Sequence, residues 1–301
     1  MRKVLISLVV VVGLFLALAS GCAMMAERTQ PTSAPTTSPQ ATQLTQPSTD
    51  APTAPTAGPT LPAEMPTEPP VTQPPATDPP TTKPTLPQDP DEKLTICIDA
   101  GPQRYGISEK EPNGPGSDVM KAKLTSGSRG VSTKIAEYQL NLDVALLLEQ
   151  ELLSRGYNVI MIRRTNDCPL SNAERAQVAN ESGADIFIRL HGNSIADGKV
   201  SGALCCAPTQ NNSFLTGQVI ADSIRLSRLV VNSFCEATGA KNRGLMSTDT
   251  MTGINWCQIP VTIVEMGFMS NATEDELMAT DDYREKMVLG IANGIDAYFG
   301  L

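Results

Sequence analysis

A few polar positions in this 301-residue chain have the types that hydrolytic chemistry needs. His191, the chain's single histidine, follows the apolar run Asp185–Leu190 (DIFIRL) and opens His-Gly-Asn-Ser. Glu265 ends the β-branched run Val261–Val264, and Asp99 ends Leu94–Ile98 before Ala-Gly-Pro102-Gln103. Glu137 falls in the first turn of a segment with helical periodicity. One imidazole with carboxylates near one sheet edge suits a hydrolytic Zn²⁺, where three protein ligands leave the fourth position for water. A further carboxylate would take the proton of that water. Each residue also has a plainer reading: a strand-end histidine satisfied by its surroundings, and a helix-start acid favoured by the helix dipole.

The elements that must position these groups read as β-α-β-α-β. Leu94–Asp99 is a strand, Thr133–Arg155 a helix stopped by Gly156, and Tyr157–Ile162 a second strand. Ser171-Asn-Ala-Glu174 has capping-box spacing and opens a helix to about Glu181, before the strand Asp185–Leu190 that leads to His191. Ser201–Ala207 reads as a strand, Leu215–Thr238 as a long helix and Lys241–Gln258 as loop. Beyond Glu265, Thr273 is expected to cap a short helix, and Asp281 opens a last one to Phe299. Gly101–Ser132 shows no periodicity and reads as a long irregular loop, a length that often carries function. The pattern predicts a single-domain α/β fold with a mainly parallel sheet and helices on both faces. Open sheets of that kind bind ligands outside the carboxyl ends of their strands, where Asp99, His191 and Glu265 stand.

The domain is expected over residues 92–301, after two segments of different character. Met-Arg-Lys, the apolar run Val4–Ala19 and Ser-Gly-Cys22 describe a secretory leader. Leu18-Ala-Ser-Gly-Cys22 resembles a bacterial lipobox, which implies a lipoprotein signal peptide over 1–22 and lipidation of Cys22. The other reading is an uncleaved anchor, although the run falls short of the ~20 residues of a full span. Residues 23–91 read as a disordered Pro/Thr-rich linker, because a Pro/Thr/Ala/Gln-rich composition buries too little to offset ordering entropy. As extended polyproline II its 60 most Pro-rich residues would reach at most ~190 Å. A net charge of −9 without a basic run argues against nucleic acid as a partner. Apart from Cys22, the cysteines have no CxxC spacing, so they read as small buried side chains.

Several blocks taken in order resemble the zinc-dependent N-acetylmuramoyl-L-alanine amidases, cell-wall hydrolases of the sporulation and autolysin type. They are ICIDAG (96–101), EYQLNL (137–142), NAERAQVAN (172–180), IRLHGNS (188–194) and VEMGFMSN (264–271). The resemblance implies cleavage of the amide between N-acetylmuramic acid and the L-alanine of the stem peptide, with peptidoglycan as partner. It implies that Glu137 and His191 ligate the metal and that Glu265 acts as general base. The leader and the lipobox place the chain outside the cytoplasm, tethered to the membrane by the lipid, where a hydrolase of this kind would face the cell wall. One position departs: where the family has a histidine after Asp-x-Gly, this chain has Pro102, which offers no donor atom. Weakened zinc binding is therefore expected, unless Asp99, Gln103 or a loop residue such as Glu109 supplies an oxygen. The alternative is an inactive amidase-like module that binds peptidoglycan without cleaving it.

Overall fold

The computed structural model describes residues 93–301. The leader, Cys22 and the Pro/Thr-rich linker lie outside the described residues. In chain order the elements are β1 (Thr95–Ala100), β2 (Ile107–Pro112), β3 (Met120–Leu124), α1 (Glu137–Ser154), β4 (Asn158–Met161), α2 (Asn172–Glu181) and β5 (Ile186–Asn193). There follow β6 (Ala203–Ala207), α3 (Gly217–Thr238), β7 (Asn242–Ser247), α4 (Thr252–Asn255), β8 (Val261–Phe268), α5 (Ala272–Met278) and α6 (Asp281–Phe299). Six strands form one sheet in the order β4-β1-β5-β8-β6-β7. Every pairing is parallel except β6 with β8.

Alternation along the central strands divides the sheet into two faces. Ile96, Ile98, Ile186, Ile188, Leu190 and Val264 face a core completed by Leu148 of α1, Val230 of α3 and Ile291 of α6. Cys97, Phe187 and Ile263 face the other way, against Ala176 and Ala179 of α2 and Ile254 of α4. On this second face the same alternation then turns polar: Cys97 is followed by Asp99, Phe187 by Arg189 and His191, and Ile263 by Glu265. One end of that face is core and the other, at the carboxyl ends of the strands, is chemistry. The α/β architecture with helices on both faces is as the sequence predicts. All six cysteines among the described residues are free and buried.

The structure departs from the sequence reading in several places. Gly101–Ser132 is not irregular throughout: β2 and β3 pair as an antiparallel hairpin within it. Its strands carry Ser108, Glu109, Lys110, Lys121 and Lys123, so no apolar alternation marks them. Distant contacts hold the hairpin instead: Trp256 Nε1 donates to Pro112 O at 3.0 Å, and Asn172 Nδ2 to Lys123 O at 2.9 Å. Lys241–Gln258, expected as loop, contains the exposed edge strand β7 and the single turn α4. The first long helix starts at Glu137 rather than Thr133, because Lys134 has φ of 62°, outside the helical region. Asp275 holds that approach, accepting from Ser132 N at 2.7 Å, Thr133 N at 2.8 Å and Thr133 Oγ1 at 2.6 Å. The cap of α5 is Asn271, not Thr273; its side chain accepts from the amides of Thr273 and Glu274. The capping box on α2 forms as its spacing predicts.

Candidate active site

Strands β5 and β8 are adjacent and parallel, and their register sets His191 opposite Glu265. Both strands run further than their apolar residues suggest, so these two residues stand within strands rather than just past them. The register slips after His191 and resumes at Asn193 with Phe268. Such an irregularity re-aims side chains beside a site. On the near side, β1 ends at Ala100 and turns through a cis peptide between Gly101 and Pro102. Gly101 is required there: a Cβ on it would lie 2.6 Å from His191 Cε1.

Glu137 comes to the same place from the first turn of α1. Its Oε1 lies 3.1 Å from His191 Nδ1. Its Oε2 accepts from Ser128 N at 2.7 Å and Ser128 Oγ at 3.0 Å, which ties the loop after β3 to the site. The start of α1 is fixed in turn by Asn141, whose side-chain amide donates to Gly101 O, and by Arg163. Arg163 donates to Ala100 O and, at 2.7 Å, to Tyr138 O, so one guanidinium joins the strand end to the helix start.

Burial works to raise the Glu137 carboxyl, but the hydrogen bond and charge of His191 and the Ser128 donors outweigh it, and the group sits below its usual range. Glu265 goes the other way. Burial pushes it up to about 7, against the opposing charge of His191 and with a lesser push from the neighbouring Glu137. The two carboxyls of the site thus differ in environment, one held ionised and the other near neutrality. Asp99 lies deeper, fully buried between Arg175 Nη1 at 2.6 Å and Arg189 Nη2 at 2.9 Å. Burial alone would raise its carboxyl, yet the two guanidiniums bring it to about 2.

Two clefts meet at Glu265. One, of about 330 Å³, runs between β3 and the segment 250–253, and His191 and Pro102 line it. The other, of about 290 Å³, lies between the loop 125–128 and the end of β5, with Glu137 in its wall.

A family model described as N-acetylmuramoyl-L-alanine amidase matches residues 96–297. The chain belongs to that family. Among relatives of this amidase domain, the uncharacterized protein YqiI of Bacillus subtilis is 26% identical over 172 residues, covering 57% of this chain and 79% of YqiI. The N-acetylmuramoyl-L-alanine amidase LytC of the same organism is 24% identical over 172 residues, covering 57% of this chain and 33% of LytC. In fold, the chain resembles the amidase Ami1 of Mycobacterium smegmatis, with a TM-score of 0.63 at 21% identity over 69% of this chain and 97% of Ami1. The catalytic domain of CwlV from Bacillus (Paenibacillus) polymyxa gives a TM-score of 0.55 at 24% identity, covering 69% and 98%.

The amidase site can be tested for the zinc that the resemblance implies. Two donors bonded at about 2.0–2.1 Å to one tetrahedral Zn²⁺ stand about 3.3 Å apart. The 3.1 Å between His191 Nδ1 and Glu137 Oε1 is close to that spacing. A third protein donor is missing. Pro102 has none, and the residues considered in its place are committed elsewhere. Asp99 is held by its two arginines, and Gln103 accepts from Arg175 Nη2 at 2.8 Å while donating to Tyr105 O at 2.8 Å. Glu109 is exposed on β2. No group of three or more His, Cys, Asp or Glu able to hold a metal exists among the described residues. The side chains of the described residues therefore stop one donor short of a three-ligand zinc site.

The structure places Glu137, His191 and Glu265 at one end of the sheet, and the sequence reading does not single out the residues that hold them there. Ser128, Asn141, Arg163, Arg175 and Arg189 belong to the site's frame. A signal existed for Arg189, a cation inside the apolar run IFIRL, and for Arg175, inside a short alanine-rich helix. A buried cation requires a partner, and Asp99 at the end of another apolar run is the matching acid.

Proposed function

We propose that the chain cleaves the amide between N-acetylmuramic acid and the L-alanine of the peptidoglycan stem peptide, with Glu265 handling the proton of the attacking water. The observation that carries this is the β5–β8 register, which sets Glu265 beside the Glu137–His191 pair where the two clefts meet. A carboxyl at about 7 is divided between acid and base near neutral pH, so it can accept water's proton and return it to the leaving amine. Glu137 holds His191 in place, and Ser128 holds Glu137. Glu137 and His191 would hold the zinc that family resemblance implies, which would supply Lewis-acid chemistry at the carbonyl. With Pro102, Glu137 and His191 are the only two donors at this site among the described residues, and the proton transfer falls to Glu265.

The test measures metal content and the release of alanine amino termini from purified peptidoglycan, using the full chain. The native protein is expected to retain little zinc and to release stem peptide slowly. Pro102→His should bring zinc to near one per chain and accelerate release, and Glu265→Gln should abolish release without changing zinc content. A zinc-loaded Pro102→His protein that binds peptidoglycan and releases nothing would replace the amidase reading with that of a binding module.

We infer further that residues 1–22 are a lipoprotein signal peptide, that Cys22 carries lipid, and that 23–91 tether the 92–301 domain outside the cytoplasm. The basic start, apolar run and Leu-Ala-Ser-Gly-Cys22 support this. No helix among the described residues is long and apolar enough to cross a membrane. Cys22→Ala should move the protein from the membrane fraction into the medium; unchanged partition would refute the anchor.

A further inference from the structure

The two clefts that meet at Glu265 differ in charge. The cleft beside the loop 125–128 is lined by Thr125, Ser126, Ser128, Asn193 and Ser194, and its only charged lining groups are the carboxyls of Glu137 and Glu265. Hydroxyls and amides suit a neutral polyhydroxylated ligand, while the carboxyls repel an anion. The cleft along β3 shares Glu265 at the junction but otherwise carries Leu124, Met251 and Ile263 together with the cations Lys121 and Arg189. Arg189 is already committed, with Nε on Asp99 Oδ2 at 3.0 Å and Nη2 on Asn172 Oδ1 at 2.8 Å. Lys121 is half-buried and has no ion-pair or hydrogen-bond partner among the described residues. Its cross-strand neighbour Glu111 is drawn away to the start of α2, where Oε1 accepts from Ala173 N at 3.2 Å.

We propose that the clefts divide the substrate, the β3 cleft taking the acid-bearing peptide half and the 125–128 cleft the neutral sugar half, with Lys121 selecting for a peptide carboxylate. This deepens the amidase reading and rests on it. An amide joining a sugar acid to a peptide has two chemically unlike halves, and the reacting carbon must sit between them, beside Glu265. A carboxylate entering this cleft would meet the Lys121 ammonium and form a charge-assisted hydrogen bond, stronger than one between neutral groups.

Titration calorimetry on the full chain tests this with two probes. One is a stem tripeptide that begins with L-alanine and has free carboxylates. The other is a disaccharide containing N-acetylmuramic acid, its lactyl carboxyl reduced to the neutral alcohol so that no atom of it stands where alanine would. Both are expected to bind, and to bind together without competing. Lys121→Gln should weaken the tripeptide about 10-fold and leave the disaccharide unchanged. Amidation of the tripeptide's carboxylates should produce the same loss on the native protein and remove the effect of the variant. Raised salt should weaken only the tripeptide. If both probes bind but compete, or if Lys121→Gln leaves tripeptide affinity unaltered, the division is wrong and the amidase reading stands. If neither probe binds the native chain, both fall.

Discussion

Replacing Asp99 with asparagine should destabilise the domain more than any other isosteric change near the site. The carboxylate is completely buried and neutralises two guanidiniums, Arg175 and Arg189, which are 0% and 2% exposed at the side chain. Asparagine keeps the shape and removes the charge, leaving two buried cations facing each other. Breaking a buried pair in this way costs roughly 3–5 kcal/mol. In a domain of about 200 residues that lowers Tm by roughly 6–20 °C. The same carboxylate gives stability a defined pH dependence. Its folded pKa of about 2 lies below the ordinary 3.8, so the folded state favours the ionised form. The contribution, worth about 2 kcal/mol, is full above the ordinary value and is lost as pH falls from about 4 through 2. Thermal and urea unfolding of the native and Asp99→Asn proteins, at neutral pH and between pH 5 and 2, measure both effects. The variant should also lose part of the native protein's acid sensitivity. Adding Arg175→Met to Asp99→Asn should recover stability, because one of the unpaired cations is removed. A Tm drop below about 2 °C, or a double variant less stable than the single one, would refute the idea that the triad is held by charge.

Other substitutions probe the frame around the site. A Cβ on Gly253 would sit 2.5 Å from Arg189 Cζ, so Gly253→Ala must displace that guanidinium from Asp99. A loss of roughly 1–3 kcal/mol in urea unfolding is expected, and an unchanged midpoint would contradict it. Gly294 lets α6 approach α3 closely, since a Cβ there would meet Val230 Cα at 2.5 Å, a backbone atom with little freedom to yield. Gly294→Ala should lower Tm by several degrees without altering affinity for either substrate fragment; retained Tm would mean that the helices can part at little cost. Asp275→Ala removes the acceptor for two amides and a hydroxyl of Ser132 and Thr133. It should speed protease cutting in the segment before α1 at least several-fold; equal cutting rates would show that other contacts hold that approach.

Much of the fold is legible because the central strands are buried on both faces and read as apolar runs. His191 and Glu265 stand out for the same reason: each is the residue where such a run turns polar. The hairpin β2–β3 escapes notice because its partners lie far away in sequence, at Asn172 and Trp256, and its own residues are charged. Strand β7 escapes for a related reason. It is a mostly exposed edge strand interrupted by Gly244 at φ of 73°, and it takes its order from parallel pairing with β6. Glu137 is visible as a helix-start acid, but its bond to His191 is not, because only the tertiary arrangement of α1 over β1 sets that distance. The role of Ser128 is invisible for the same reason. It lies nine residues from Glu137 in a stretch without any periodic pattern.

The change from core to chemistry along one face of the sheet has a consequence for which parts of the site can open. His191 and Glu265 hang on β5 and β8, interior strands with hydrogen-bonded neighbours on both sides. Their amides should exchange with solvent deuterium only through global unfolding, as core strands do. The walls differ. The loop 125–128 is joined to Glu137 by a few hydrogen bonds of Ser128, and the β2–β3 hairpin is a two-stranded flap outside the main sheet. Their amides should exchange through local openings at much lower free energy. Deuterium uptake would then divide the site into a slow floor bearing His191 and Glu265 and fast walls formed by the loop 125–128 and the hairpin.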